Sequence, residues 1–229
     1  MGITRIAENA WLLALGNANA TLLQHEGELT LIDAGFPGKE KVVFDALAQL
    51  GKRLTDLKHL VFTHSHPDHI GSAAAIIRAT GAQTYMHAVD APFAESGGPF
   101  RPMTAAPGLV QQVAYRIVWK PNEQMQPFKI DHHIADRETL SLAGGLHAVH
   151  VPGHDAGQLA FLWQGSRLLI AGDVFMNVLG LADPVGFEDE AEGRRSQRKL
   201  AGLEFDAAVF GHGSPILSKA SERLRRKMR

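Results

Sequence analysis

The sequence contains no cysteine, no long apolar run and almost no net charge. Without cysteine, neither a disulfide nor a thiolate-bound metal is available, so any metal must take nitrogen and oxygen ligands. No apolar stretch approaches the roughly 20 residues that span a bilayer, which argues against membrane insertion. The formal net charge of -1 gives no reason to expect a nucleic acid as partner.

The amino-terminal segment MGITRIAENAW also lacks the basic stretch and apolar core of a signal peptide. Together with the absence of a membrane-spanning run, this pattern predicts a cytoplasmic protein. The 229 residues suit one large domain, and a composition of 45% hydrophobic and 21% charged residues is ordinary for a globular protein.

Short apolar runs alternate with helical patterns along the chain, and this order predicts an α/β layered protein. Gly27 supplies the turn of a predicted first hairpin, and Gly81 the C-terminal cap of a predicted helix. The predicted strands cover residues 10–15, 19–25, 29–32, 60–63, 83–87, 139–142, 146–151, 159–163, 168–171 and 207–210. The predicted helices cover residues 42–50, 70–80, 109–116, about 188–200 and the basic carboxyl-terminal segment.

The segment from about residue 91 to 128 differs in composition from the rest of the chain. Proline fixes backbone angles and removes a donor, so little regular structure is predicted there apart from a helix near 109–116. A long irregular insertion is typical of a lid, a binding loop or a contact surface. Its aromatic and methionine side chains could wall an apolar acyl pocket, or pack under the loop or in a homodimer interface. Six of the eleven prolines lie in it, at positions 92, 99, 102, 107, 121 and 127.

Three of the twelve histidines fall in the string HSHPDH, residues 64–69, directly after an apolar strand. In an extended segment residues i and i+2 point the same way, so His64 and His66 can bind one cation together. Asp68 and His69 follow the turn at Pro67 and are expected at the start of the next helix, aimed at a neighbouring point. Open α/β folds place their sites at the carboxyl ends of strands, as here.

Three later segments show an apolar strand, a small residue and then a nitrogen or oxygen ligand. They are VPGHDAG with His154, LLIAGDVF with Asp173 and AAVFGHGSP with His212. A catalytic zinc needs three protein ligands and an open position, so these residues supply what the first two histidines lack. The other histidines are interpreted as strand, surface or hydrogen-bonded core residues: His25, His59, His87, His132, His133, His147 and His150.

The HxHxDH string, followed in order by these segments, resembles the metallo-β-lactamase-fold hydrolase superfamily over nearly the whole chain. The resemblance implies an α/β fold of four layers, an αβ/βα sandwich with two sheets face to face and helices outside. It implies a single hydrolase domain over residues 1–229, with 91–128 as a proline-rich insertion or lid. Asp33 in LIDAG is then a partner that orients a metal-bound histidine, or alternatively a turn aspartate at a strand end.

The same resemblance implies a dinuclear metal site with a bridging carboxylate. Two such ions would share a bridging hydroxide that attacks an ester-like carbonyl, and Asp68 would also pass a proton to the leaving group. Zinc is the favoured metal, while iron and manganese accept the same donors. The implied ligands are His64, His66 and His154 for the first metal, Asp68, His69 and His212 for the second, and Asp173 between both.

Within the superfamily the chain is most similar to the branch of lactonases and hydroxyacylglutathione hydrolases, without the carboxyl-terminal glutathione-binding extension. Only 17 residues follow His212, and no tyrosine stands between Asp173 and His212, where lactone hydrolases often carry one. Lactamases with the same first motif are generally secreted and lack the bridging aspartate. Asp155 stands where relatives often carry Ser or Thr, and the sequence offers no account of it.

The predicted function is therefore hydrolysis of a lactone, thioester or ester in a small-molecule substrate. A phosphodiesterase acting on nucleic acid is one alternative, opposed by the near-neutral charge and the absence of a basic stripe. A mononuclear iron sulfur dioxygenase that uses only His64, His154 and Asp173 is another. A diiron reductase is disfavoured because such relatives usually carry Glu in place of His66 and add a flavin domain. A non-catalytic metal scaffold is disfavoured because every ligand position is filled.

Overall fold

The computed structural model describes residues 2–120 and 124–229, in which two large β-sheets lie between two outer layers of helices. Pro121, one of the six prolines of the 91–128 segment, lies outside the described residues. The strands are β1 (Ile3–Ala7), β2 (Ala10–Ala14), β3 (Asn19–His25), β4 (Glu28–Ile32), β5 (Leu57–Val61), β6 (Gln83–His87), β7 (Thr104–Ala105), β8 (His132–Ile134), β9 (Thr139–Leu140), β10 (Leu146–His150), β11 (Leu159–Trp163), β12 (Leu168–Ile170), β13 (Met176–Asn177), β14 (Leu181–Ala182), β15 (Gly186–Phe187) and β16 (Ala207–Val209). The helices are α1 (Glu40–Gln49), α2 (Pro67–Ile70), α3 (Ala73–Thr80), α4 (Ala91–Ser96), α5 (Leu109–Val118), α6 (Glu190–Ala201) and α7 (Ala220–Lys227).

The first sheet has the strand order β1-β2-β3-β4-β5-β6-β8, and the second has the order β16-β12-β11-β10-β9. In the first sheet, β1 to β4 are antiparallel neighbours, whereas β4, β5, β6 and β8 run parallel. In the second sheet, only β12 and β16 are parallel. A two-residue ladder between β7 and β15 ties the 91–128 segment to the chain just before α6.

Adjacent residues of the central strands are buried in different cores, which is what the period of two requires of a strand covered on both faces. Leu22 and Leu31 pack under α1 and α3, whereas Leu23 and Ile32 point into the core between the two sheets. The second sheet buries its other face against α6 and α7 through residues such as Leu169. The four-layer αβ/βα sandwich implied by the sequence resemblance is confirmed.

Most predicted elements are confirmed, and the differences have local causes. β5 ends at Val61, two residues earlier than predicted, because the chain turns away to build the functional site. The predicted helix 70–80 is interrupted around Gly71, which separates α2 from α3. α4 forms inside the proline-rich segment, where little regular structure was predicted, with Pro92 in its first turn, where a missing N–H costs nothing.

α5 confirms the helix predicted within the 91–128 segment, but none of its residues is buried. The hydroxyl of Tyr115 donates to the carbonyl of Met103 at 2.6 Å, which fixes one side of the helix. The opposite side presents large apolar side chains, among them Leu109, Val110 and Ile117, to solvent. Among the described residues, no helix has both the length and the apolar character needed to cross a bilayer.

Candidate metal centre

Five strands deliver a chemically active side chain from their carboxyl ends to one edge of the sandwich. β4 is followed by Asp33, β5 by His64, β10 by His154, β12 by Asp173 and β16 by His212. Because β4 and β5 are parallel in one sheet, and β12 and β16 are parallel in the other, their ends meet where the two sheets face each other.

Backbone hydrogen bonds between the two halves hold these loops together. The Leu159 amide donates to the carbonyl of Thr63 at 2.7 Å, and the Asn19 amide donates to the carbonyl of Gly211 at 2.8 Å. The side-chain amide of Asn19 also donates to the carbonyls of Phe210 and Gly213, at 3.0 and 2.8 Å. The loops that carry His64 and His212 are therefore fixed by the opposite sheet.

The first group of the centre consists of three buried imidazoles. Nδ1 of His66 lies 3.0 Å from Nε2 of His64 and 3.0 Å from Nε2 of His154. Nδ1 of His154 donates to the carbonyl of Gly186 at 2.8 Å, and Nδ1 of His64 lies 3.0 Å from the Thr63 hydroxyl. These outer bonds leave Nε2 of His64 and Nε2 of His154 free to bind a cation.

The second group consists of Asp68, His69 and His212. Oδ2 of Asp68 lies 3.1 Å from Nε2 of His212 and 3.8 Å from Nε2 of His69. Nδ1 of His212 donates to the carbonyl of Asn17 at 2.7 Å, so its Nε2 also faces inward. The Asp68 and His212 side chains are 19% and 16% exposed, whereas His69 is fully buried. The centre is therefore open to solvent on the side of Asp68 and His212.

Asp173 lies between the two groups. Its Oδ2 is 3.7 Å from Nε2 of His154 in the first group and 3.1 Å from Nε2 of His212 in the second. Its Oδ1 is 3.5 Å from Nε2 of His69. One carboxylate thus faces both groups of donors.

Asp33 orients His69, one member of the second group. Its Oδ2 lies 2.9 Å from Nδ1 of His69 and accepts a hydrogen bond from the Thr63 hydroxyl at 2.8 Å. Because that hydroxyl donates to Asp33, it is left to accept from Nδ1 of His64. Of the two interpretations of Asp33, the contact with a candidate ligand histidine is the one observed.

The protonation states suit cation binding in the first group. Burial lowers the pKa of His64 well below its ordinary value and lowers the pKa of His66 to about 4, so both imidazoles are neutral with a free lone pair. Burial would also lower the pKa of His69, but the charges of Asp33, Asp173 and Asp68 raise it well above its ordinary value. The histidines of the second group therefore lie in a strongly anionic environment, which attracts a cation.

The seven residues fit a divalent metal centre. Among the described residues, the buried Nε2 of His69 and Oδ1 of Asp173 have no hydrogen-bond partner, a costly arrangement unless a cation completes it. Three overlapping triads have donor atoms within 4.8 Å of one another, and together they contain all seven residues named from the sequence. In the part of the chain that the structure describes, none of the other seven histidines belongs to such a triad. The triads are His64, His66 and His154; His64, His69 and Asp173; and Asp68, His69 and His212.

A charged network beside the centre was missed by the sequence analysis. The Arg101 guanidinium donates from Nε to both carboxylate oxygens of Glu188 at 2.9 Å, and from Nη2 to Oδ1 of Asp155 at 2.7 Å. Nη2 also contacts Oδ1 of Asp90. Asp155 and Glu188 form, with His66, a fourth close group of atoms that could bind a metal. Burial and the charge of Asp155 raise the pKa of Glu188 to about 7. The one sequence signal for this network is Asp155 itself, because Arg101, Asp90 and Glu188 belong to no motif.

Comparisons with known proteins identify the family to which the chain belongs. The sequence profile of the Metallo-beta-lactamase superfamily matches residues 13–212, and the chain belongs to that superfamily. It is 31% identical to the uncharacterized protein YobT of Bacillus subtilis, covering 93% of this chain and 89% of YobT. The fold is similar to that of the metallo-beta-lactamase family protein TTHA1429 from Thermus thermophilus, with a TM-score of 0.73, 25% identity, and coverage of 98% of this chain and 79% of that one.

Two other relatives have names that describe an activity. A hydroxyacylglutathione hydrolase from Fuscovulum blasticum is 29% identical over 69% of this chain, and the thioesterase pkgB from Emericella nidulans is 26% identical over 92%. The chain spans only about half of each, 48% and 50% of their respective lengths. Each of these relatives is thus about twice as long as the region that matches this chain.

Proposed function

We propose that the protein is a dinuclear metal-dependent hydrolase that cleaves a carboxylic ester-like bond: a lactone, a thioester or an ester. His64, His66 and His154 would hold one divalent ion, and Asp68, His69 and His212 would hold the other. Zinc is the first choice because all the donors are imidazole nitrogens and carboxylate oxygens, and the same set also suits iron or manganese.

The position of Asp173 is the observation that carries this proposal. A site for a single ion needs three protein ligands and an open position. Here each of two triads already meets that number, and Asp173 faces both, with Oδ2 at 3.7 Å from Nε2 of His154 and at 3.1 Å from Nε2 of His212. A carboxylate that faces two complete triads suits a pair of ions better than a single ion.

The protein residues have separate tasks in this proposal. When bound, the ions supply Lewis-acid chemistry, which lowers the pKa of water towards neutrality and polarises a substrate oxygen. The carbonyls of Gly186 and Asn17 fix the imidazoles of His154 and His212 by accepting their Nδ1 protons. Asp68 lies on the open side of the centre, where its carboxylate can take up the proton that the attacking water releases and pass it to the departing oxygen or sulfur.

The 91–128 segment supplies the wall that an apolar part of the substrate would meet. The Trp119 ring stands edge-on to the His66 ring with 5.2 Å between centroids, and the indole is only partly buried. A substrate whose carbonyl lies at the centre would place its acyl group against Trp119. The names of the hydroxyacylglutathione hydrolase and the thioesterase are compatible with such a substrate.

The test combines metal content with a substrate panel. Elemental analysis of the purified protein should find about two zinc ions per chain, as paired sites demand. The panel should contain a lactone, a thioester and an aryl ester, with a bis-aryl phosphate for the phosphodiesterase alternative. Turnover of the carboxylic compounds, abolished by chelation and restored by zinc, is the expected result.

Other results would separate the alternatives. Turnover of the bis-aryl phosphate alone would replace the carboxylic substrate by a phosphodiester. A single iron per chain, with oxygen consumption on a persulfide, would support the sulfur dioxygenase, in which only His64, His154 and Asp173 bind the metal. Two metals without turnover of any of these substrates would refute the proposed reaction while leaving the metal centre in place.

A further inference from the structure

His66 is oriented differently from the other four histidines of the centre. His64, His69, His154 and His212 direct Nε2 inward and bond through Nδ1, whereas His66 directs Nδ1 inward. Its outward Nε2 is buried and has no partner within hydrogen-bond distance among the described residues. His66 is therefore the one histidine of the centre whose outward nitrogen lacks a close acceptor.

Asp155 is the nearest acidic group to this nitrogen among the described residues. Its Oδ2 lies 3.8 Å from Nε2 of His66, longer than a hydrogen bond, and both side chains are almost fully buried. When Nδ1 of a neutral imidazole binds a cation, its proton resides on Nε2 and needs an acceptor. A displacement of roughly 1 Å would bring the Asp155 carboxylate to the usual hydrogen-bond distance of roughly 2.9 Å.

Asp155 is held in place by contacts on both of its oxygens. Oδ1 accepts from Nη2 of Arg101 at 2.7 Å and from the Gly157 amide at 2.8 Å, while Oδ2 accepts from the Ser65 hydroxyl at 3.2 Å. Arg101 is thereby bound to the chain immediately after His154. Since Arg101 belongs to the 91–128 segment, that segment touches the surroundings of His66 at two points, Arg101 and Trp119.

The residues that follow Asp155 are adapted to the same network. The Ala156 amide donates to Oε2 of Glu188 at 2.9 Å. A Cβ on Gly157 would overlap the carboxylate of Asp90, with Oδ2 only 2.8 Å away, so this position has room only for glycine. The triplet Asp155-Ala156-Gly157 therefore leaves room for Asp90 and Glu188 beside the Arg101 guanidinium and adds the carboxylate of Asp155 as a third. A Ser or Thr at position 155 would not supply that carboxylate.

We propose that Asp155 is a positioning residue for His66, and that Arg101 holds Asp155 in place. Packing of the 91–128 segment is thereby coupled to the geometry of the triad His64, His66 and His154. This inference rests on the proposed metal centre but not on the substrate. A network that only anchors the segment would affect folding and leave cation binding unchanged.

The test uses cobalt(II) as the probe, because its visible absorption reports the geometry of its ligands. The full chain is stripped with a chelator, reloaded with cobalt, and compared with Asp155→Asn, Arg101→Gln and the double variant. The asparagine introduced by Asp155→Asn would keep an oxygen towards Arg101 and turn its NH₂ group towards Nε2 of His66. Arg225→Gln is the matched control, because Arg225 is a half-buried arginine whose ion pair with Glu204, at 2.8 Å, involves no residue of the centre.

Asp155→Asn is expected to lower cobalt affinity by about 10- to 100-fold and to change the cobalt spectrum, as loss of an outer partner of a metal-bound histidine does. Arg101→Gln is expected to have a smaller effect that disappears in the Asp155→Asn background, because Arg101 acts through Asp155. Arg225→Gln should match the wild type. If Asp155→Asn does not fold, Asp155→Ser removes the same charge and takes its place, with urea unfolding of the metal-free forms as the folding check.

Wild-type affinity and spectrum in a folded Asp155 variant would overturn the inference, even if that variant were less stable. Fully additive effects of the two substitutions would overturn the role of Arg101. A wild-type chain that binds no cobalt would overturn the metal centre itself. Metal binding without hydrolysis would count against the proposed reaction alone.

Discussion

The carboxylate of Asp33 lies 2.9 Å from Nδ1 of His69, and both side chains are buried where β4 and β5 end. The same carboxylate accepts the Thr63 amide on Oδ1 and the Thr63 hydroxyl on Oδ2, each at 2.8 Å. Asp33 has a φ of +66°, a conformation that aspartate and asparagine tolerate better than most residues. One side chain therefore orients His69 directly and His64 through Thr63.

Asp33→Ala is expected to reduce both metal content and stability. It leaves three buried donors without an acceptor, which should cost about 3 kcal/mol of the free energy of unfolding. It should also weaken metal binding by about 10- to 100-fold. Urea unfolding of the metal-free protein and elemental analysis measure the two effects separately.

Asp33→Asn is the control for this prediction, since asparagine accepts the backbone conformation and can still accept from Thr63. It should recover most of the stability while metal binding stays weak. An alanine variant with normal stability and a full complement of metal would show that Asp33 is only a turn residue.

His66→Ala and Asp173→Ala should each lose metal and activity together. Nδ1 of His66 lies 3.0 Å from Nε2 of both His64 and His154, and the Asp173 carboxylate faces both triads. Each substitution therefore removes a candidate metal ligand from the middle of the centre. The rate should fall by roughly 100-fold or more. His133→Ala is the matched histidine control, because His133 is exposed on β8 and should have no effect. Full activity in either site variant would contradict the assignment of the centre.

Much of the fold, and the meeting of the seven candidate ligands, could be predicted because their signals are local. A buried strand shows itself as an apolar run, and His154, Asp173 and His212 each follow such a run after a small residue. Parallel strands then bring their ends together without further information. All seven predicted ligands accordingly meet at one edge of the sandwich, although their sequence positions span 64–212.

Features that depend on tertiary contact could not be predicted in this way. Arg101 meets Glu188 across 87 positions of sequence, and no local pattern distinguishes it from a surface arginine. β8 has only one buried residue of three, so it lacks the alternation of a strand. Asp155 is the one member of this network that the sequence marked, because it stands where relatives often carry Ser or Thr. In the structure it contacts Arg101.

Gly211→Ala should damage the centre although alanine suits the backbone there, since the φ of Gly211 is not in the left-handed region. A Cβ at this position would overlap Oδ1 of Asp173 and lie 2.7 Å from Cε1 of His69. Metal content should fall by at least about tenfold, because a ligand atom must move. Gly165→Ala is the matched control, with no atom within 4 Å of the new methyl group. Equal metal content in both variants would mean that the carboxylate can move aside without loss of binding.

Trp119→Ala tests whether the 91–128 segment contacts the substrate. The indole borders His66 at 5.2 Å between ring centroids, so its removal takes an apolar surface away from the centre but no metal ligand. The KM for a long-chain acyl ester should rise by about tenfold, while the KM for an acetyl ester and the metal content stay near wild type. Trp119→Phe, which keeps an aromatic face, should have a KM for the long-chain ester close to that of the wild type. An equal change in KM for long and short esters would mean that Trp119 does not contact the acyl group and only packs against His66.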